Sequence, residues 1–357
     1  MKQPAVVFIH GRPGPHPFHG ALAESVNADF LPVDFILRWH DRNSARTRRY
    51  LSWLLCSLFF PRRSKYSIFL TEGPHFLPVI MKRLRLLTKH QKAAALLDNE
   101  TLYFLKAQRY RRSTQQALLG ALAGYDALFC VGRMQTDLAK ELLSGHSREP
   151  LFIKVHSSLP PRSQEKLKLV RPNLDGKQIL FIGNGPSGWR AWYKGIDLLL
   201  DSVRLASSEL EELQLKIGGT WESDYTNDLL AGIPALSRRV EFLGHLSDLG
   251  PALSDSALYV HLGRGEAFGI SIIEAMYAGV PALVSEWTGA REAVEQVDPR
   301  LVVPLDAQAA AERICWYMKL PSEQKLKLSA RSREVAATYT EERAFGEFRQ
   351  AVNQLLD

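Results

Sequence analysis

The second half of the chain is punctuated by short apolar runs, each ending in glycine or a polar turn and followed by residues at helical spacing. Residues 178–182, 213–217, 240–243, 257–261, 282–285 and 301–303 have this form. Short apolar runs read as strands buried on both faces, and strands alternating with helices build a parallel, doubly wound sheet. The first half repeats the pattern at residues 5–10, 30–33, 66–71, 93–97, 125–131 and 151–155. Between the two series, residues 161–176 carry Pro172 and many charges with little periodicity. The chain therefore reads as an α/β protein with a Rossmann-like domain at 1–160, a linker at 161–176, a second Rossmann-like domain at 177–337 and a final amphipathic helix within 338–357.

Residues 265–281 hold the densest chemistry. Glu266 and Glu274 bracket seven residues, and Phe268 and Gly269 precede an apolar run of Ile270, Ile272, Ile273, Met276 and Tyr277. Gly279 and Pro281 stop that run, so a helix is expected to open near residues 269–271 and close near Ala278. Its first turn offers N–H groups without helical partners and the positive end of the dipole, a seat for phosphates. Gly269 admits close approach of a ligand to the backbone, and the two carboxylates can accept hydrogen bonds from sugar hydroxyls.

This stretch resembles the glycosyltransferase family 4 signature of GT-B enzymes through Glu266, Phe268, Gly269, Glu274, Ala275, Gly279 and Pro281. Ala267 stands where the family has glycine, and Leu262-Gly263 where it has Pro-Ser. The resemblance implies a GT-B fold, two doubly wound domains facing across a cleft, with the last helix packing back toward the first domain. It implies that Glu266 faces the donor sugar, that Glu274 holds the nucleotide ribose, and that Phe268, Gly269, Ile270 and Ser271 cradle the diphosphate. It puts the base near Gly244, His245 and Leu246. Lys194-Gly195 is similar to the family's Lys-Gly element, so Lys194 would hold the diphosphate and offset charge growing on the leaving nucleotide. The family's arginine position is Asn184, beside Gly183; Arg190 could supply the missing charge, or Lys194 could act alone. The implied activity is transfer of a hexose from a nucleotide-diphosphate sugar to an acceptor hydroxyl, with retention and with neither metal nor cofactor.

Competing motifs fit less well. Residues 183–188 form a G-x-G-x-x-G after a strand, but Pro186 interrupts it and the next strand ends in Gly218-Gly219 where a ribose-binding acid is required. There is no Asp-x-Asp, Walker loop, zinc set or Gly-x-Ser-x-Gly elbow in the sequence. Two rivals use the same fold: a nucleotide-sugar epimerase, and a non-catalytic sugar-nucleotide or glycan-binding protein.

The first half supplies the acceptor-side candidates. Gly14 and Gly20 follow the first strand, Asp98 ends the fourth run and His156 ends the sixth. Glu72 also lies at a strand end, where polar residues line the crevice of an open α/β sheet. Residues 1–150 carry 22 Lys and Arg against 11 Asp and Glu, whereas the rest carries 23 against 27. A basic half faces an anionic partner. The basic residues from Arg38 to Lys65 flank an apolar block at 51–60, which reads as a buried helix with basic ends or as a segment in a membrane interface. Lys82, Arg83, Arg85 and Lys89 extend that basic surface. A lipid-linked glycan, a lipopolysaccharide or another cell-envelope polysaccharide is the expected acceptor, and no nucleic-acid motif accompanies the charge. Cys56, Cys130 and Cys315 sit apart in apolar runs as buried free thiols, and no apolar run reaches a membrane span, so the chain reads as cytoplasmic, with peripheral contact at the inner face of the membrane.

Overall fold

The computed structural model describes residues 5–10, 17–32, 65–72, 76–185 and 188–356. The chain divides into two compact units, Met1–His156 with Glu342–Asp357, and Ser157–Glu341.

The first unit runs β1 (Val6–His10), α1 (Pro17–Ser25), β2 (Asp29–Pro32), β3 (Ile68–Glu72), α2 (Leu77–Arg83), β4 (Lys92–Leu97), α3 (Thr101–Lys106), α4 (Arg112–Leu122), β5 (Ala127–Val131), α5 (Gly132–Leu143) and β6 (Leu151–Val155). Its six strands are all parallel, in the order β2-β1-β3-β4-β5-β6. The inner strands β4 and β5 are buried almost throughout, which is why their sequences are continuous apolar runs instead of alternating ones. Asp126, just before β5, ties the sheet to its helices: it accepts the Ala93 N–H at 2.9 Å and pairs with Lys82 and Arg148 at 2.6 Å each. Lys82, assigned to a basic surface by its neighbours in sequence, is thus pinned in an ion pair. Lys65 likewise pairs with Asp29 at 2.6 Å. Gly14, Cys56, the apolar block at 51–60 and the basic residues from Arg38 to Arg63 lie outside the described residues. Cys130 and Cys315 are buried free thiols.

The second unit holds α6 (Pro161–Leu167), β7 (Gln178–Ile182), α7 (Gly188–Tyr193), α8 (Ile196–Ala206), β8 (Gln214–Gly218), α9 (Ser223–Ala231), β9 (Val240–Gly244), α10 (Gly250–Ser254), β10 (Leu258–His261), α11 (Ile270–Tyr277), β11 (Ala282–Ser285), α12 (Arg291–Val297), β12 (Val302–Val303), α13 (Ala307–Met318) and α14 (Ser322–Ala336). Its parallel order is β12-β11-β10-β7-β8-β9. The chain builds outward from β7 to β9, then returns to the other side of β7 with β10. Ligands of open α/β sheets bind at the carboxyl ends of the strands where the order reverses. Here that point is between β7 and β10, whose paired residues include Leu258 with Ile179 and Tyr259 with Leu180.

One stretch differs from the sequence expectation. Residues 161–176, expected as a linker, are part of the second unit. Leu167, Val170 and Leu174 are buried, the Asn173 N–H donates to the Ser254 carbonyl at 2.8 Å, and Arg333 donates to the Val170 carbonyl at 2.8 Å. The prolines and charges of this stretch hide an apolar set spaced by three and four. The last helix, α15 (Glu341–Gln354), belongs mainly to the first unit, where the Phe348 ring lies 5.2 Å from that of Phe129 and Glu347 pairs with His156 at 3.2 Å. Among the described residues no helix is long and apolar enough to cross a membrane.

Candidate functional site

The loop from β10 to α11, residues 262–269, carries the site and is pinned from several sides. The Arg264 N–H donates to the Tyr193 carbonyl at 2.7 Å, the Gly265 N–H to the Trp287 carbonyl at 3.0 Å, and the Gly289 and Ala290 N–H groups to the Glu266 and Phe268 carbonyls at 2.9 and 2.8 Å. Arg264 grips Asp197 with two bonds of 2.7 Å, the bidentate geometry that fixes a guanidinium best. The Ser285 hydroxyl donates to the Gly263 carbonyl at 2.5 Å.

The loop ends at Gly269, the N-cap of α11, in the left-handed region at φ +92°. A Cβ there would lie 2.7 Å from the Ile272 side chain. The helix closes with a Schellman motif: the Val280 N–H donates to the Ala275 carbonyl and the Gly279 N–H to the Met276 carbonyl, both at 2.9 Å. Arg333 takes the Tyr277 carbonyl at 2.9 Å. The carboxyl end is therefore satisfied by protein, while the amino end, with no acidic residue in its first turn, presents its N–H groups at the switch point. Phe268 is buried against Tyr339, so only its backbone faces outward. The Ser271 hydroxyl lies 2.9 Å from the Tyr259 hydroxyl and 3.3 Å from the Ile182 carbonyl, joining α11 to the end of β7.

Lys194 follows α7 and reaches Glu266, to which its ammonium is hydrogen-bonded; the two side chains are only 13% and 14% exposed. His261, the last residue of β10, lies beneath them with Nε2 3.5 Å from the same Glu266 oxygen. Burial alone would raise the Glu266 carboxyl, but the Lys194 charge and the His261 ring outweigh it and hold the group well below the usual carboxylate range. Burial pushes the His261 ring down, against the pull of Glu266. The surroundings thus favour an ionised Glu266 and oppose a charge on His261.

Glu274, one turn into α11, differs. Burial pushes its carboxyl up to about 7, opposed by a hydrogen bond with Ser163. A folded-state pKa above the unfolded one means that ionising Glu274 opposes folding: the penalty is absent below about pH 4.5 and full above about pH 7. Glu274→Gln is expected to be more stable than the parent by ~1–3 kcal/mol at pH 8 and to show no such gain at pH 5, in urea unfolding at both pH values. An equal effect at the two pH values would contradict this reading of the carboxyl.

The remaining donor-side candidates assemble around the ends of β7, β8 and β9. The Gly183 N–H donates to the Gly218 carbonyl at 3.0 Å and the Gly219 N–H to the Gly244 carbonyl at 2.7 Å. The Asn184 side-chain oxygen accepts the Thr220 N–H at 2.7 Å, so it clamps two loops together. Leu246 packs against Gly218, and His245 is exposed beside it. Arg190, on α7, lays its guanidinium over the Trp189 ring at 5.6 Å, and its carbonyl accepts the Lys194 N–H at 2.8 Å.

In the first unit, Asp98 is joined by two residues that lie far from it in sequence. His19, from α1 and 2% exposed, sits between two carboxylates, with Nε2 2.5 Å from Asp98 and Nδ1 3.1 Å from Glu72. Burial would lower the ring's pKa, but hydrogen bonds and charge from Asp98 and Glu72 push it up to about 9. The three residues are close enough to hold a metal ion, yet the two ring nitrogens address carboxylates on opposite sides, the geometry of a bridged ion pair. Asp98 caps no helix; Asn99 accepts the Thr101 N–H instead. Gly20 lies in the first half of α1. His156 is engaged with Glu347 and, at 3.4 Å, with Arg343. Sequence reading passed over His19, His261 and Ser163. His261 could have been found as the polar residue ending a strand at the switch point; His19 and Ser163 carry no local signal.

A two-unit α/β protein with an open helix amino end, a lysine and two carboxylates at a sheet switch point has an architecture that nucleotide-binding α/β proteins also use. Residues 163–335, just under half of the chain, match the family model for glycosyl transferases group 1. Phosphatidyl-myo-inositol mannosyltransferase of Mycobacterium leprae is 29% identical over 138 residues, which cover 38% of this chain and 35% of that protein. The Mycobacterium tuberculosis H37Rv protein of the same name is 30% identical over 142 residues, 38% of this chain and 36% of that protein. The chain thus matches only about a third of the length of these curated relatives. Among solved structures, sucrose-phosphate synthase from Thermosynechococcus elongatus superposes with a TM-score of 0.74 at 17% identity, covering 98% of this chain and 99% of that one. Anabaena HepE in complex with UDP and glucose gives 0.68 at 15%, covering 98% and 100%. WaaG, a glycosyltransferase involved in lipopolysaccharide biosynthesis, gives 0.66 at 15%, covering 98% and 99%. The fold is therefore the two-domain α/β fold of GT-B glycosyltransferases.

Proposed function

We propose that this chain is a glycosyltransferase that moves a hexose from a nucleotide-diphosphate sugar to an acceptor hydroxyl, with retention of configuration and without a metal. The observation that carries this reading is the meeting of Lys194 and Glu266 at the open mouth of α11, at the switch point of the second sheet. The diphosphate would lie on the backbone N–H groups of residues 269–271 with Lys194 beside it. Lys194 and the helix dipole would then offset negative charge as the nucleoside diphosphate departs, an electrostatic stabilisation specific to the transition state. Glu266 would address the sugar hydroxyls and Glu274 the ribose, which would exchange part of its desolvation penalty for hydrogen bonds to the ligand. The base would sit at Gly244–Leu246.

The first unit would supply the acceptor side, with Asp98 held by His19 as a hydroxyl-binding carboxylate. Relatives named for phosphatidyl-myo-inositol mannosylation and for lipopolysaccharide biosynthesis support a lipid-linked or cell-envelope acceptor, as does the basic first half of the chain. Action at the inner face of the cytoplasmic membrane follows from that choice of acceptor.

Product analysis tests the reading. Sugar nucleotides incubated with the protein and membrane lipid extracts are expected to yield free nucleoside diphosphate and a glycosylated lipid with the donor's anomeric configuration, in the presence of EDTA. An epimerised sugar nucleotide would instead establish the epimerase. An unchanged donor with every acceptor would leave a binding protein.

A further inference from the structure

His261 is 1% exposed and neither ring nitrogen has a hydrogen-bond partner among the described residues. Its ring is packed 5.0 Å from that of Phe181 and 6.4 Å from that of Tyr259. A buried, unsatisfied imidazole opposes folding, and such a group calls for an explanation. Its surroundings supply one. Nε2 stands 3.5 Å from Glu266 Oε2, too long for a hydrogen bond but closable by a small movement. The ionisable groups facing it are Glu266 from the loop after β10, Lys194 from the end of α7 and, on its own strand, Tyr259, which burial keeps neutral; β7 contributes only Phe181.

Lys194 presents a conflict. Without ligand it neutralises Glu266. If it turns to a diphosphate, Glu266 loses its cation in a site that is mostly closed to water, and removing one partner of a buried pair is strongly unfavourable. One other group is in place to supply a positive charge to that carboxylate.

We propose that His261 is a positioning residue that takes up a proton and closes on Glu266 when Lys194 turns to an anionic ligand, so that donor binding to the second unit is coupled to proton uptake. The proton comes from solvent or buffer, leaving its conjugate base, and forms an N–H bond on the imidazole; no other covalent bond changes. Glu266 remains ionised and in place in both states, and Lys194 is released to the phosphate without leaving a bare buried charge. The nature of the anion rests on the glycosyltransferase reading; the exchange between Lys194 and His261 does not.

Two measurements decide the matter separately. In ligand-free Lys194→Met, the His261 ring, followed by nitrogen-15 NMR, is expected to titrate at least about one pH unit above its position in the parent. A ring that stays neutral, with Glu266 taking the proton instead, overturns the proposal, whatever the protein's activity. In the unaltered protein, calorimetric titration with UDP, GDP and ADP in buffers of different ionisation enthalpy is expected to show net proton uptake with the nucleotide that binds. His261→Gln, which keeps an amide donor but cannot titrate, is expected to bind that nucleotide with less uptake. Proton uptake no greater in the parent than in His261→Gln, where any release from Glu274 is the same, also overturns it. If none of the nucleotides binds, the glycosyltransferase reading fails, and the Lys194→Met titration still decides the exchange.

Discussion

Lys194→Ala is expected to lower kcat for sugar transfer by about 10²–10³-fold, the usual effect of deleting one donor that stabilises transition-state charge. The side chain is mostly buried and already held at the site by Glu266, the partner it exchanges for the diphosphate. KM should change less than kcat, because the charge on the leaving diphosphate grows along the reaction. The same change strips Glu266 of its cation. Some loss of stability is therefore expected, smaller than the ~3–5 kcal/mol of a fully enclosed pair, since both groups retain some exposure and His261 stands in reserve. Steady-state kinetics with the cognate sugar nucleotide measures the first effect. A kcat within tenfold of the parent would remove Lys194 from the transition state.

Gly195→Ala is the second large effect, and it acts on folding. Gly195 is the N-cap of α8 at φ +73°, and a Cβ there would lie 1.9 Å from the Leu262 carbonyl oxygen. The left-handed backbone alone disfavours alanine by ~1–2 kcal/mol. The backbone of the loop after β10 would have to move as well, and that loop is held by Tyr193, Trp287, Ser285 and Gly289. A loss of ~3 kcal/mol or more is expected in urea unfolding, of the order reserved for strain at a special backbone position combined with a clash. Gly244→Ala is the control. It sits at φ +68° with nothing within 4 Å of the new Cβ, so it should show the backbone penalty alone. Equal losses in the two variants would show that the approach of Gly195 to Leu262 contributes nothing.

The lysine-glycine pair thus has two separable duties. Gly195 lets α8 begin directly against the loop after β10, and that contact delivers Lys194 to Glu266. In sequence the two residues look like one small motif, with Lys194 72 positions from the carboxylate it meets.

Much of the second unit was legible because its signals are local. Continuous apolar runs mark strands buried on both faces, and the strands at Gln178–Ile182 and Ala282–Ser285 begin and end where the runs do. Gly269 and Gly279 mark the two ends of α11 because each takes a left-handed conformation that other residues resist. What remained hidden depends on distant partners. Leu167, Val170 and Leu174 look like linker residues until α11 and α14 are there to cover them. Lys82 reads as surface charge until Asp126, from before β5, closes on it. His19 is one more polar residue in a short helix until the ends of β3 and β4 bring Glu72 and Asp98 to its two nitrogens. His261 reads as the tail of a strand, and only the loop's return places Glu266 above it.

Binding of nucleoside diphosphates to the second unit's site is the claim on which the account stands. Isothermal titration with UDP, GDP and ADP, repeated on Glu274→Gln, measures it directly. The account predicts saturable one-to-one binding of one of the three, weakened about tenfold or more in the variant, as expected when a ribose loses a charge-assisted hydrogen bond of ~1.5–3 kcal/mol. No binding of any of the three, or binding that is unchanged in Glu274→Gln, would contradict it.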